Sequence, residues 1–189
     1  SSVLWFAPGS TRPQQWIDKQ RLVPLGEWVP GDLAGLSAVG GVSPGEAPRL
    51  LALPPPLGSV AVAICYELSD GLGLNQAVRD GAGWLLTIAN LDPYPAALQQ
   101  QFMALSQLRA IETSRWLLSS ANTGPSALIS PRGELQQQLL ANQEALGLMQ
   151  FPVLRGESLW TRLGLWPQLL LWLGFLSRTC FSTDERQSP

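Results

Sequence analysis

Residues 60–64 read Val-Ala-Val-Ala-Ile, an unbroken apolar run of strand length. A strand that alternates can leave one face in water; a run with no polar position has to be covered on both faces. The stretch therefore demands a sheet with layers above and below it. "WLLTIAN" (84–90) repeats the pattern, and "RWLLSSAN" (115–122) and "SALIS" (126–130) read as further strands joined by the turn "NTGP". Between the first two lies "GLGLNQAVRDG", a short helix closed by Gly81. After the second, Pro95 opens a helix to about Thr113, with Leu98, Phe102, Leu105, Leu108 and Ile111 on one stripe. The order strand, helix, strand, helix, strand, strand predicts an α/β fold on one thick sheet. With 189 residues, 46% hydrophobic and 14% charged, the chain can bury the core of one domain.

The flanks are less regular. Residues 2–7 read as a strand, and "PGSTRPQQW" as a turn-rich loop. Pro24 and Pro30 forbid a long helix after it. Residues 31–58, rich in Gly, Pro, Ala and Leu, read as irregular loop. "PRGEL" (131–135) is a turn, and "ALGLMQFPV" (145–153) a last strand. Residues 163–176 carry no charge and lie between Arg162 and Arg178. On length this is a core helix, an interfacial helix or, extended over 160–178, a membrane span with arginines at its ends. Three parts follow: 1–155, 160–178, and a polar tail over 179–189. The chain opens directly on a strand, which suggests a portion of something longer.

Composition also limits the chemistry. A net charge of −2 offers no electrostatic case for nucleic acid. With no histidine, a Ser-His-Asp triad and a Cys-His dyad are impossible, and two cysteines in unlike contexts, Cys65 and Cys180, suit neither a zinc site nor a disulfide framework. Where the run 60–64 ends, Cys65, Tyr66 and Glu67 follow at once. A cysteine after such a run commonly serves as a small apolar core residue. A nucleophilic one would need a carboxylate to take its proton and an ammonium to hold the developing charge. Glu27, held between Gly26 and Trp28 and bracketed by prolines, looks placed; Lys19 taken alone is a surface lysine.

Four stretches occur in order: "DKQRLVPLGEWVP" (18–30), "VAICYEL" (62–68), "LLTIAN" (85–90) and "QLRAIETSRWLLSSANTG" (107–124). Together they resemble the carbon–nitrogen hydrolase (nitrilase) superfamily, and within it the bacterial inner-membrane acyltransferases of lipoprotein maturation. "LWTRLGLWP" (159–167) and the apolar segment after it resemble the passage into the last membrane helix of that branch. The resemblance implies a partial αββα sandwich followed by a transmembrane helix, with the catalytic part facing the periplasm. It implies Cys65 as nucleophile, Lys19 as the lysine that stabilises the tetrahedral intermediate, Glu27 as its supporting glutamate, and Tyr66 and Glu67 as residues that shape the nucleophile turn. It implies a phospholipid acyl donor, a diacylglyceryl-cysteine lipoprotein as acceptor, a membrane as partner, and neither cofactor nor metal.

The pattern is broken in two places. The family's general-base glutamate lies well upstream of its lysine, yet in the 18 residues before Lys19 the only acidic one is Asp18. The chain alone is therefore expected to be inactive. After "TIAN", the sequence "LDPYP" replaces the acidic residue and aromatic pair usual near the site mouth. Two other readings stay open: a truncated soluble amidase, which salt or carbonate would release from membranes, and a non-catalytic remnant, whose Cys65 would react no faster than a free cysteine.

Overall fold

The computed structural model describes residues 1–29, 42–46 and 48–182, and the side chains of 179–182 are outside that description. Part of the irregular loop expected over 31–58 and the side chain of Cys180 thus lie outside the described residues.

A six-stranded sheet organises the molecule, in the order β3-β4-β5-β6-β7-β8. Its centre is parallel: β4 (Ser59–Ile64), β5 (Trp84–Ala89) and β6 (Leu117–Ala121) run the same way. The edges are antiparallel: β3 (Leu50–Ala52) on β4, then β7 (Ser126–Ile129) and β8 (Leu135–Leu139) beyond β6. A separate antiparallel ribbon joins β1 (Ser2–Trp5) to β2 (Gln15–Asp18).

The apolar run 60–64 is covered on both faces, as its composition requires. Ala61 and Ala63 face helices α1 (Gly71–Arg79) and α2 (Ala96–Thr113), together with Leu85, Leu117, Ala127 and Ile129. Val60, Val62 and Ile64 face the other way, with Trp84, Leu86, Ile88 and Leu118, and Ile17, Val3 and Trp5 of the ribbon pack there. The layers are helix, sheet and ribbon. Small residues on the helix side let α1 approach closely; bulky ones fill the ribbon side.

Helix α2 departs from the expected pattern. Leu98, Leu108 and Ile111 of the apolar stripe are exposed, while Gln99, Ser106, Arg109 and Thr113 are buried beside Met103 and Ala110. These polar groups are satisfied, as buried ones must be. Ser106 and Thr113 donate to the carbonyls of Phe102 and Arg109, at 2.9 and 2.7 Å. Gln99 Nε2 donates to the carbonyls of Leu91 and Tyr94, and Arg109 Nε to that of Leu68 at 3.0 Å. The helix thereby clamps two loops that border the site.

Other expectations need correction. The strands β2, β3 and β8 were not anticipated; β8, "LQQQL", is a largely exposed edge strand whose glutamines conceal its pattern. Residues 145–153 form no strand. Phe151 instead packs on Trp84 and Trp116, with centroids 5.4 and 5.9 Å away, and Leu146 and Leu148 stand exposed. The single helix expected over 160–178 is broken at Gly164, whose φ of +54° favours glycine, into α3 (Leu159–Leu163) and α4 (Trp166–Ser182). Among the described residues no helix is long and apolar enough to cross a membrane.

Helix α3 fixes the base of α4 to the body. Ser158 caps it, Thr161 Oγ1 donates to Asn75 Oδ1 at 2.8 Å, and Arg79 Nη1 donates to the Thr161 carbonyl at 2.6 Å. Thr161 is fully buried. Thr161→Val keeps the shape but leaves Asn75 Oδ1 without this donor, and is expected to cost about 1–3 kcal/mol, read as a lowered Tm.

Candidate active site

Cys65 is the first residue past β4, at the carboxyl end of the parallel strands, where open α/β sheets place their ligands. Its φ is +56°, a left-handed conformation unusual for a residue with a Cβ. Backbone of this kind costs roughly 1–3 kcal/mol and persists only where its surroundings hold it. The chain then tightens into a 3₁₀ helix, Cys65–Ser69, leaving the thiol half-buried.

Lys19 reaches the same place from the ribbon. Its N–H donates to the Ser1 carbonyl at 2.8 Å, extending the β1–β2 pairing by one residue. Its carbonyl accepts from Gly45 N–H at 2.8 Å, an approach only glycine allows, since a Cβ there would stand 2.7 Å from the Asp18 carbonyl oxygen. The side chain is buried and its Nζ lies 2.7 and 2.6 Å from the two carboxylate oxygens of Glu27. Glu27 is set by a tight turn: Glu27 N–H donates to the Val23 carbonyl, and Val23 N–H returns to Glu27 Oε2, both at 2.8 Å.

Burial alone would raise the Glu27 pKa. The hydrogen bonds from Lys19 and Val23 N–H and the lysine charge outweigh it, and the net direction is down. A carboxylate held below its unfolded value stabilises the fold above that value, and the stabilisation is lost as pH falls through the folded one. The Lys19–Glu27 contact is therefore expected to hold through neutral pH and to open only below the ordinary glutamate range, about 4.3. The Glu27 side-chain carboxyl ¹³C shift, followed against pH, checks this; a midpoint above that range would contradict it.

Glu67 is fully buried, and three segments meet on it. Its Oε1 accepts from Gln20 N–H at 2.6 Å and Arg21 N–H at 3.0 Å; its Oε2 accepts from Ile64 N–H at 2.8 Å. One carboxylate thus ties the residues after Lys19 to the residue before Cys65. Tyr66 lies beneath the Arg21 guanidinium, 5.5 Å from ring centroid to carbon.

The structure brings Cys65, Lys19 and Glu27 onto one cleft of about 870 Å³. The sequence reading missed Asn90, Ser120 and Asn122, which line its far wall at the ends of β5 and β6. The signal was present in the parallel endings "TIAN" and "SSAN". Asn122 Nδ2 donates to Asn90 Oδ1 at 2.7 Å and so spans the two strand ends. A second cavity of about 310 Å³ is lined by Tyr66, Leu68, Leu91, Leu98, Phe102 and Leu105. Cys65, Val23 and Tyr94 border both. Cys65 thus stands at the border of the two cavities.

Comparisons with known proteins show the family. The family model for carbon-nitrogen hydrolases matches residues 13–155. "Apolipoprotein N-acyltransferase" of Prochlorococcus marinus (strain MIT 9313) is 57% identical over 166 residues, covering 86% of this chain and 33% of that protein. The protein of the same name from Parasynechococcus marenigrum (strain WH8102) is 55% identical over 150 residues, covering 77% and 32%. The chain spans about a third of the length of these curated relatives. Among solved structures, Saccharomyces cerevisiae Nit3 superposes with a TM-score of 0.55 at 16% identity, over 70% of this chain and 46% of that one. The C. elegans NitFhit protein does so with 0.52 at 17%, over 69% and 32%. The family model spans most of the chain and the fold agrees with it: the chain belongs to the carbon–nitrogen hydrolase family.

Proposed function

We propose that the chain carries the nucleophile half of a thioester acyltransferase that moves an acyl chain from a phospholipid to the N-terminal amine of a diacylglyceryl-cysteine lipoprotein. The observation that carries this reading is the position of Cys65 on the shared border of an apolar cavity suited to an acyl chain and the cleft that holds the Lys19–Glu27 pair. The name of the relatives supports the reaction class.

In this reading Cys65 Sγ attacks the ester carbonyl. The Lys19 ammonium, and the backbone N–H after Cys65, face the oxyanion that forms. The C–O bond breaks, and the lysophospholipid leaves as an alcohol with the proton taken from the thiol. The acceptor amine then attacks the thioester, the C–N bond forms, the C–S bond breaks, and the thiol is restored. A proton acceptor is needed in both halves. Among the described residues the cleft holds one carboxylate, Glu27, and Lys19 occupies it. The base therefore comes from outside the described residues.

We place the chain at the bacterial inner membrane with the site facing the periplasm; helix α4 supports the membrane contact. Leu170, Leu171, Trp172, Leu173 and Phe175 are all exposed. A surface this apolar belongs in lipid, and we place α4 there. Its 17 residues reach about 26 Å, short of the roughly 30 Å hydrocarbon core of a bilayer, and lipid contact does not require a span. Deleting 166–189 is expected to move the chain from the carbonate-washed membrane pellet to the supernatant; an unchanged pellet fraction would argue against lipid contact through α4.

The test of the reaction is a graft. Placed in the Prochlorococcus marinus relative in place of its matching third, the chain is expected to support N-acylation of a lipoprotein, and Cys65→Ser to abolish it. The 189-residue chain alone is expected to support none. Transfer by the Cys65→Ser graft would overturn the proposal; transfer by the chain alone would overturn the expectation that its base is supplied from elsewhere.

A further inference from the structure

Arg49 lies one residue before β3, far in sequence from both Lys19 and Cys65, and it is buried. Its carbonyl accepts from Val62 N–H at 3.0 Å, which docks it beside the strand that ends in Cys65. Its Nε lies 3.5 Å from Glu67 Oε1 and 3.3 Å from Gln20 Oε1, and its Nη2 lies 2.9 Å from Asp70 Oδ2. Asp70 caps α1 by accepting from Gly73 N–H at 3.1 Å. A Cβ at position 73 would stand 2.9 Å from Arg49 Nη1, so the glycine leaves the guanidinium its room. The burial of an ion costs several kcal/mol unless it is paired. Here a cation and a carboxylate share one site, and that carboxylate is the group on which the Lys19 segment and the Cys65 turn both hang.

We infer that Arg49 is a positioning residue for the acyl-transfer site: as the buried partner of Glu67 and Asp70, it holds the carboxylate that aligns the Lys19 segment with the Cys65 turn. It touches neither thiol nor ammonium and acts only through Glu67. The inference rests on the reading of Cys65 and Lys19 as the reacting pair, but its physical content can be measured without any reaction.

The test is amide hydrogen exchange on the full 189-residue chain carrying Arg49→Met or Arg49→Lys. In Arg49→Met, the amides of Gln20, Arg21 and Ile64, all bonded to Glu67, are expected to exchange about tenfold faster, because the carboxylate loses the buried cation paired with it. The Leu85 amide, bonded to the Trp116 carbonyl in the sheet, is expected to keep its rate. Arg49→Lys, which keeps the charge but not the fork, is expected to fall between. It also serves as the test should the methionine variant not fold. Unchanged exchange at the three amides, or equal acceleration at Leu85, would overturn the inference. In the graft, Arg49→Lys is expected to lower kcat with KM unchanged; a rise in KM alone would count against positioning. A graft without Arg49 changes that fails to transfer acyl chains would sink the proposed function while leaving the exchange result to stand or fall by itself.

Discussion

Glu67→Leu is expected to leave no assembled site and little folded protein. Leucine nearly fills the volume, so the cost is one of unmet polar groups. The N–H groups of Gln20, Arg21 and Ile64 lose their acceptor, and the buried Arg49 loses a partner. Charge-assisted hydrogen bonds contribute about 1.5–3 kcal/mol each, so the sum is on the order of 5 kcal/mol or more. That rivals the roughly 5–15 kcal/mol that holds a whole domain together. A urea titration read by circular dichroism measures it. The double variant Glu67→Leu/Arg49→Met is expected to recover part of the loss, because taking away both partners of a buried pair strands neither. Additive losses would mean that Arg49 and Glu67 do not act as a pair. Glu67→Gln should fall between, since its amide nitrogen would face a backbone N–H where an oxygen is needed.

Lys19→Met is expected to be the largest single effect on chemistry, short of removing the thiol. It also strands Glu27, a partly buried carboxylate that, among the described residues, keeps the Val23 N–H alone. Breaking such a pair costs about 3–5 kcal/mol where burial is complete, and less at the partly open edge where Glu27 lies. Transfer by the grafted enzyme should fall by about 10²–10³-fold, the loss seen when one oxyanion donor goes. Adding Glu27→Gln should return stability without returning activity. Stability and transfer that recover together would make the pair a structural strut and no part of the reaction.

The core of the fold was legible because its strands are buried on both faces and so carry no polar interruption; β4 and β5 stand where their apolar runs lie. What hid was what the period rules do not describe. Strand β3 has three residues, and β8 is glutamine-rich at an edge. Helix α2 buries polar side chains because they clamp loops, and it exposes Leu98 beside the apolar cavity, so its hydrophobic stripe is no guide to its core face. In the site, Cys65, Lys19, Glu27 and Glu67 were legible by motif resemblance; position after a buried strand alone suits an ordinary core cysteine equally well. The convergence of Gln20, Arg21, Ile64 and Arg49 on one carboxylate could not be read, since backbone N–H groups leave no mark in a sequence and Arg49 is separated from Glu67 by two strands.

The central claim is that Cys65 forms a thioester with an acyl chain. The direct measurement is mass spectrometry of the Cys65 peptide after the grafted enzyme meets phospholipid vesicles without an acceptor. The account predicts a fatty-acyl mass on Cys65, removed by neutral hydroxylamine and absent from Cys65→Ser. An unmodified Cys65 peptide in an enzyme that still transfers acyl chains would contradict it.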